Sequence, residues 1–143
     1  MHYDKDKFDL LSKLYAMEKS QEKFETPEDA VIKLLPYRDK KTEHFVVLAM
    51  DNKNHFIAKK VFKGTADQTA VYPREVFRFA LQKQATGIIM GHNHPGGDPA
   101  PSRNDREIIK SMQPAANILG VRVLDNIIVA RSGHYSFKEH GLI

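Results

Sequence analysis

GHNHPGGDPAPSRND, residues 91–105, places two histidines one residue apart and follows them with three prolines, a serine and two aspartates. The apolar run TGIIMG (86–91) leads into this stretch as a short buried strand, and Ser102 opens a helix beyond it. In extended backbone, side chains at i and i+2 point to the same side, so His92 and His94 can face one point. Asp105 falls in the first turn of the following helix, from which a carboxylate can return to that point. The pattern is H-x-H-x7-S-x2-D. Two neutral imidazoles and one carboxylate are a typical ligand set for catalytic zinc and leave a fourth position for water. The prolines and glycines supply a stiff, tight path between them. Each piece also has a plain structural reading: Ser-x-x-Asp before a helix is a capping box, and Asp98-Pro99 is an ordinary turn.

The elements around the loop read as a mixed sheet with helices, an α/β or α+β domain. Phe8, Leu11, Leu14 and Tyr15 recur at helical spacing and predict an amphipathic helix over 6–19. The polar stretch EKSQEKFE reads as a linker, which divides the chain into an N-terminal helix and linker (1–25) and a domain (26–143). Thr26, Pro27 and Asp29 predict a helix start, with Ala30, Val31, Leu34 and Leu35 as its buried face and Pro36 as its end. EHFVVLAMD (43–51) predicts a buried strand, closed by the turn 51–54 and paired with HFIAKKVFKG (55–64) as a hairpin. Pro73 opens a helix with Val76, Phe77, Ala80 and Leu81 on one face. The helix from Ser102 is expected to break or end near Pro114, and VRVLDNIIVA (121–130) with HYSF (134–137) forms a closing hairpin.

Composition narrows the function classes. The 143 residues contain no cysteine, which excludes a disulfide framework and a thiolate metal site. No apolar run is long enough to span a bilayer, and the N-terminal MHYDKDKFDLL mixes acids with lysines, unlike a secretory signal. A cytoplasmic protein without a membrane partner is expected. Lys and Arg outnumber Asp and Glu by 22 to 18, with 12 against 11 in residues 1–60 and 10 against 7 beyond. A pI near 9.2 permits contact with phosphates without requiring it. Phe45, Phe56, Phe62, Phe77 and Phe79 read as core or half-buried packing, not as a base-stacking platform.

His92-Asn93-His94-Pro95 with Ser102 and Asp105 resembles the JAMM/MPN metalloprotease motif, E…H-x-H-P-x7-S-x2-D. The wider sequence is similar to the bacterial RadC proteins, which carry a JAMM-like domain. EHFVVLAMD, GTADQTAVYPREVFRFAL, GHNHPGGDPAPSRND, LGVRVLDNIIVA and SFKEHGL carry the likeness over about residues 26–143. It implies a cytidine-deaminase-like JAMM/MPN fold and a Zn2+-dependent peptidase or isopeptidase, with His92, His94 and Asp105 as metal ligands. The family's upstream glutamate corresponds to Glu43, 49 residues before His92, or to Glu75 in the first turn of a helix; Glu43 is the choice here because helix-dipole stabilisation suffices to explain Glu75. In the implied mechanism a metal-activated water attacks an amide carbonyl, Glu43 carries its proton to the leaving amine, and Ser102 hydrogen-bonds the oxyanion or orients the water. Asp98 is a second candidate for a metal contact.

This chain departs from the usual pattern in places. Gly96 stands where RadC sequences more usually carry serine, and Asp125-Asn126 where many have Asp-His. Only about 25 residues precede Thr26, fewer than the N-terminal helix-hairpin-helix-like region of full-length RadC proteins. His2, His44, His55, His134 and His140 are not expected to be ligands. The partner implied by the resemblance is a peptide or isopeptide substrate. The alternative is a DNA-associated accessory protein, of repair or mobile-element function, with a structural or vestigial metal site. A metal-free interaction scaffold is the third class, and the complete ligand set argues against it. An exposed sheet edge could take an extended substrate by strand addition.

Overall fold

The computed structural model describes residues 4–19, 22–64 and 71–143. His2 and residues 65–70 of the segment GTADQTAVYPREVFRFAL lie outside them. The described elements run α1 (Lys5–Lys19), α2 (Pro27–Leu34), a 3-10 turn (Leu35–Tyr37), β1 (His44–Met50), β2 (Phe56–Lys63), α3 (Pro73–Gln82), β3 (Gly87–Asn93), α4 (Arg103–Leu119), β4 (Arg122–Ala130) and β5 (Gly133–Ser136). The five strands form one sheet in the order β2-β1-β3-β4-β5. β3 and β4 are parallel, joined by α4, and every other neighbouring pair is antiparallel. The mixed α/β architecture expected from the sequence is the one observed.

β1 is buried along its whole length and explains how the sheet is covered on both sides. Phe45, Val47 and Ala49 join the core under α3 and α4, with Val76, Phe77, Ile109 and Met112. Val46, Leu48 and Met50 point the other way, into a smaller core with Ala30 and Leu34 of α2. Burying one such aliphatic side chain contributes about 1.5–3 kcal/mol. α2 comes down onto β3 because Gly91 has no side chain: a Cβ there would lie 2.4 Å from Leu34 Cδ1 and 2.9 Å from the Ile127 carbonyl. The start of α2 is held by the Asp29 carboxylate, which accepts hydrogen bonds from the Glu25 and Thr26 N–H groups (2.8 and 3.0 Å). Those bonds hold its carboxyl below the usual range.

Several local expectations are corrected. Pro36 does not end α2 abruptly; the chain tightens into the 3-10 turn, and Leu35 is exposed. In α3, Val76, Phe77, Phe79 and Ala80 are buried, but Leu81, expected on the same face, is exposed. α4 runs through Pro114, because Met112 and Ala116 stay on its buried face. The packing of that face outweighs the ~3 kcal/mol that an internal proline costs. Gly120, in the left-handed region (φ 68°), ends the helix instead. The expected linker is partly structure: Phe24 N–H donates to the Asn54 carbonyl and Phe56 N–H to that of Glu22 (2.8 and 2.7 Å). Phe24 is buried and stacks on Phe56, with ring centroids 5.9 Å apart. The amphipathic helix expected at the N-terminus is present, with Phe8, Leu11, Leu14 and Tyr15 48–63% exposed.

Candidate metal centre

The carboxyl end of β3, the amino end of β1 and the amino end of α4 meet at one corner of the sheet. His92 is the last-but-one residue of β3 and pairs with Phe45 of β1 on one side and Ile128 of β4 on the other. It is 2% exposed, and its ring lies nearly parallel to that of Phe45, with centroids 5.8 Å apart. His94 follows just past the strand, where its N–H donates to the Val129 carbonyl (3.0 Å). Asp105 reaches back from the first turn of α4. His92 Nε2 lies 3.2 Å from His94 Nε2 and 3.1 Å from Asp105 Oδ1, and His94 Nε2 lies 3.0 Å from Asp105 Oδ2.

These distances fit a metal ion. Tetrahedral zinc with ~2.0–2.1 Å bonds has ligand atoms about 3.3 Å apart, close to the 3.2 Å between the two imidazole nitrogens, each of which also has one Asp105 oxygen within 3.1 Å. The donor chemistry agrees. His94 Nδ1 faces the Asp98 carbonyl at 2.8 Å, and a carbonyl can only accept, so Nδ1 carries the hydrogen. In the neutral ring, Nε2 then offers a bare lone pair toward His92 and Asp105. His92, His94 and Asp105 can together hold a metal ion, their ligand atoms all within 4.8 Å of one another. Burial opposes charge on His94, but Asp105, the Asp98 carbonyl and Glu43 raise its pKa. Burial likewise opposes charge on Asp105, yet His92, His94 and the Ser102 N–H hold its carboxyl well below the usual carboxylate range.

Glu43 sits just before β1, 8% exposed, with Oε1 4.0 Å from His92 Nε2. Glu75 lies instead beside Arg74 and Arg78, at 3.7 and 4.0 Å. Of the two sequence candidates, Glu43 is the one brought to the histidines. Ser102 is the N-cap of α4. Its Oγ accepts from the Asp105 N–H (3.0 Å) while its own N–H donates to Asp105 Oδ2 (2.9 Å). That cap uses a lone pair of the hydroxyl, not its hydrogen. The carboxylate of Asp98 is not among the converging ligand atoms; it accepts from the Ala100 N–H (2.9 Å), and only its carbonyl serves His94.

The residue that sequence reasoning missed is the one between the histidines. Asn93 points to the opposite sheet face, where it is fully buried. Its Oδ1 accepts from the His44 N–H at 2.6 Å, and its Nδ2 donates to the Lys40 and Thr42 carbonyls at 3.3 and 3.1 Å. Asn93 thereby ties the segment that carries Glu43 to the strand that carries His92. The signal was present in the strand alternation: a polar residue between His92 and His94, turned to the opposite sheet face, must be satisfied there.

The other described histidines are elsewhere. His44 Nδ1 meets the Thr42 carbonyl at 2.9 Å, His55 meets Asp51 at 3.0 Å, and His140 stacks on Tyr135. His134 is exposed on β5. Asp125, buried, accepts from Ser136 Oγ and the Asn126 and Lys138 N–H groups, fastening the C-terminal segment to β4. The neighbouring Asn126 is buried on the sheet face that carries Met90, its strand partner. No described helix is long and apolar enough to cross a membrane.

Comparison with known proteins shows what the chain is similar to. The family described as RadC-like JAB domain matches residues 24–142. The chain is 46% identical over 107 residues to a UPF0758 protein of Trichlorobacter lovleyi, covering 74% of this chain and 46% of that protein. It is 41% identical over 124 residues to one of Geobacter sulfurreducens (85% and 54%) and 36% identical over 139 residues to one of Methanosarcina barkeri (95% and 61%). The chain thus spans about half the length of the curated relatives it matches.

Proposed function

The chain belongs to the RadC-like JAB domain family, and from that premise we propose that it is a zinc-dependent hydrolase that cleaves an amide bond in a peptide or isopeptide substrate. The observation that carries this reading is the meeting of His92, His94 and Asp105 within 4.8 Å, with the Glu43 carboxylate 4.0 Å from His92 Nε2.

His92 and His94 would hold the ion through Nε2 and Asp105 through its carboxylate, an open-site ligand set. A bound zinc ion supplies Lewis acidity and brings the pKa of water toward ~7. Glu43, on the strand side of the cluster, is placed to accept a proton from the attacking water and to return it to the nitrogen of the leaving amine as the C–N bond breaks. The Ser102 hydroxyl, whose lone pair caps α4, keeps its hydrogen for the substrate's carbonyl oxygen. His94 keeps its lone pair on the ligand side because the Asp98 carbonyl holds the hydrogen at Nδ1. Phe45 packs on the His92 ring and shields it from water.

The test is turnover of a fluorescence-quenched peptide library by zinc-loaded protein, beside Glu43→Gln. Glu43→Gln is expected to keep its zinc and lose about 10²–10⁴ in rate, the usual contribution of a positioned general base. Zinc-loaded wild type that turns over no amide would sink the hydrolase reading. Undiminished turnover in Glu43→Gln would remove Glu43 from the role.

A further inference from the structure

The surface beside His94 is cationic and built. A cavity of about 90 Å3 opens between the segment 38–41, the loop after His94 and the β4–β5 turn. Arg38, Lys40, Lys41 and Arg131 line it together with His94. Asp39 is the acid on this lining, and it is engaged by Arg38, whose guanidinium approaches it at 3.2 Å. Among the described residues, no ion pair links Lys40, Lys41 or Arg131 to a carboxylate.

Both walls are fastened to the loop that carries the ligands. Asn93 Nδ2 holds the Lys40 and Thr42 carbonyls, which sets one wall. On the other, Ser132 donates to the Gly97 carbonyl from both its N–H (3.2 Å) and its Oγ (2.8 Å), which sets the turn containing Arg131. Cations gathered in this way repel one another, and a bound anion relieves that repulsion. The cavity is small, about 90 Å3, and its lining is dominated by cationic side chains, which suits a carboxylate. Apart from His94 the lining offers no aromatic face on which a nucleobase could stack.

We propose that this cationic cavity binds an acidic side chain or terminal carboxylate of the substrate, so that the protein selects acidic peptides. The selection rests on the hydrolase reading for its catalytic purpose, but it is a binding property and is measurable without turnover.

The test is fluorescence anisotropy with a labelled glutamate-rich peptide, its glutamine counterpart and single-stranded DNA of equal charge. Each is titrated into zinc-loaded wild type and into a Lys40→Gln/Lys41→Gln/Arg131→Gln variant. A Lys53→Gln/Lys83→Gln/Lys110→Gln variant removes the same charge elsewhere, and zinc content and circular dichroism check that each variant folds. The glutamate peptide is expected to bind wild type about tenfold more tightly than its counterpart, and to lose that margin in the first variant only. Rising salt should erode the margin. Equal losses in both variants would overturn the proposal. So would DNA that binds more tightly than the glutamate peptide through the same three residues, which would assign the cavity to nucleic acid. A preference for the glutamate peptide without cleavage of any peptide sinks the hydrolase reading and leaves the cavity's role standing. Cleavage of both peptides without preference does the reverse.

Discussion

The candidate centre has a strand half and a loop half, and they are held by different forces. In the strand half, His92 is enclosed between strands and stacked on Phe45, while the segment bearing Glu43 is tied in by Asn93. In the loop half, His94, Asp98, Ser102 and Asp105 are placed by polar contacts: a carbonyl on Nδ1, a capping box at α4 and a backbone bond to Val129. Packing and one buried hydrogen-bond clasp position the first half; hydrogen bonds alone position the second. Residues with the same chemical task therefore have different tolerances to change.

The sharpest break comes from removing the two imidazoles separately. His92→Ala and His94→Ala are each expected to weaken zinc binding by more than about a hundredfold, beyond what loss of a supporting contact to a ligand causes. Their metal-free forms should differ. Loss of the buried His92 ring leaves a cavity against Phe45 and costs about 2–4 kcal/mol, whereas loss of the half-buried His94 costs under about 1 kcal/mol. Zinc competition assays and urea unfolding of the metal-free proteins measure the two effects. Equal unfolding free energies would erase the distinction between the halves.

Asn93→Ala sharpens the same contrast from within the strand half. It leaves the His44 N–H and two carbonyls without their partner, a loss of about 2–3 kcal/mol by urea unfolding. On the proposed hydrolase reading, turnover should fall because the segment bearing Glu43 is released, while zinc affinity changes by less than about tenfold, as His92, His94 and Asp105 are untouched. A large fall in zinc affinity would show instead that Asn93 serves the ligands directly.

Acid addresses the loop half and gives the smallest effect. Asp105 is held below its usual range in the folded protein. Its contribution is present above the unfolded value near ~3.9 and lost as pH falls through the folded one. His94, raised in the folded protein, has the opposite sign: its contribution is present below ~6.5 and lost as pH rises through the folded value. Metal-free wild type should thus lose stability on acidification below about pH 4, and Asp105→Asn should lose less over the same interval. Parallel acid titrations of the two proteins would contradict this account.

How much of this was legible in the sequence follows the same division. His92, His94, Ser102 and Asp105 fall within one short segment, so strand alternation and helix-capping rules were enough to bring them together. β1 and its hairpin were legible because an uninterrupted apolar run admits few other readings. Asn93 was not, because its partners are the His44 N–H and the carbonyls of Lys40 and Thr42, far away in the chain. Leu81 was placed on the buried face of its helix because helical spacing gives a face but not the rotation at which the neighbouring sheet meets it. Pro114 misled for a related reason: a local breaking preference was overridden by tertiary packing on Met112 and Ala116. Phe24, read as part of a polar stretch, became core because a strand edge lay within reach.

The antiparallel pairing of β1 with β3 also sets an order of events. His94 and Asp105 lie 11 positions apart, while the His44–Asn93 clasp joins positions 49 apart. Contacts between near positions close early in folding, and those between distant ones wait for more of the chain to be arranged. A refolding chain thus brings His94 and Asp105 together before Glu43 arrives beside them. Metal added early in refolding can be gripped by a chain in which Glu43 has not yet arrived, so on the proposed hydrolase reading metal uptake should precede the appearance of activity.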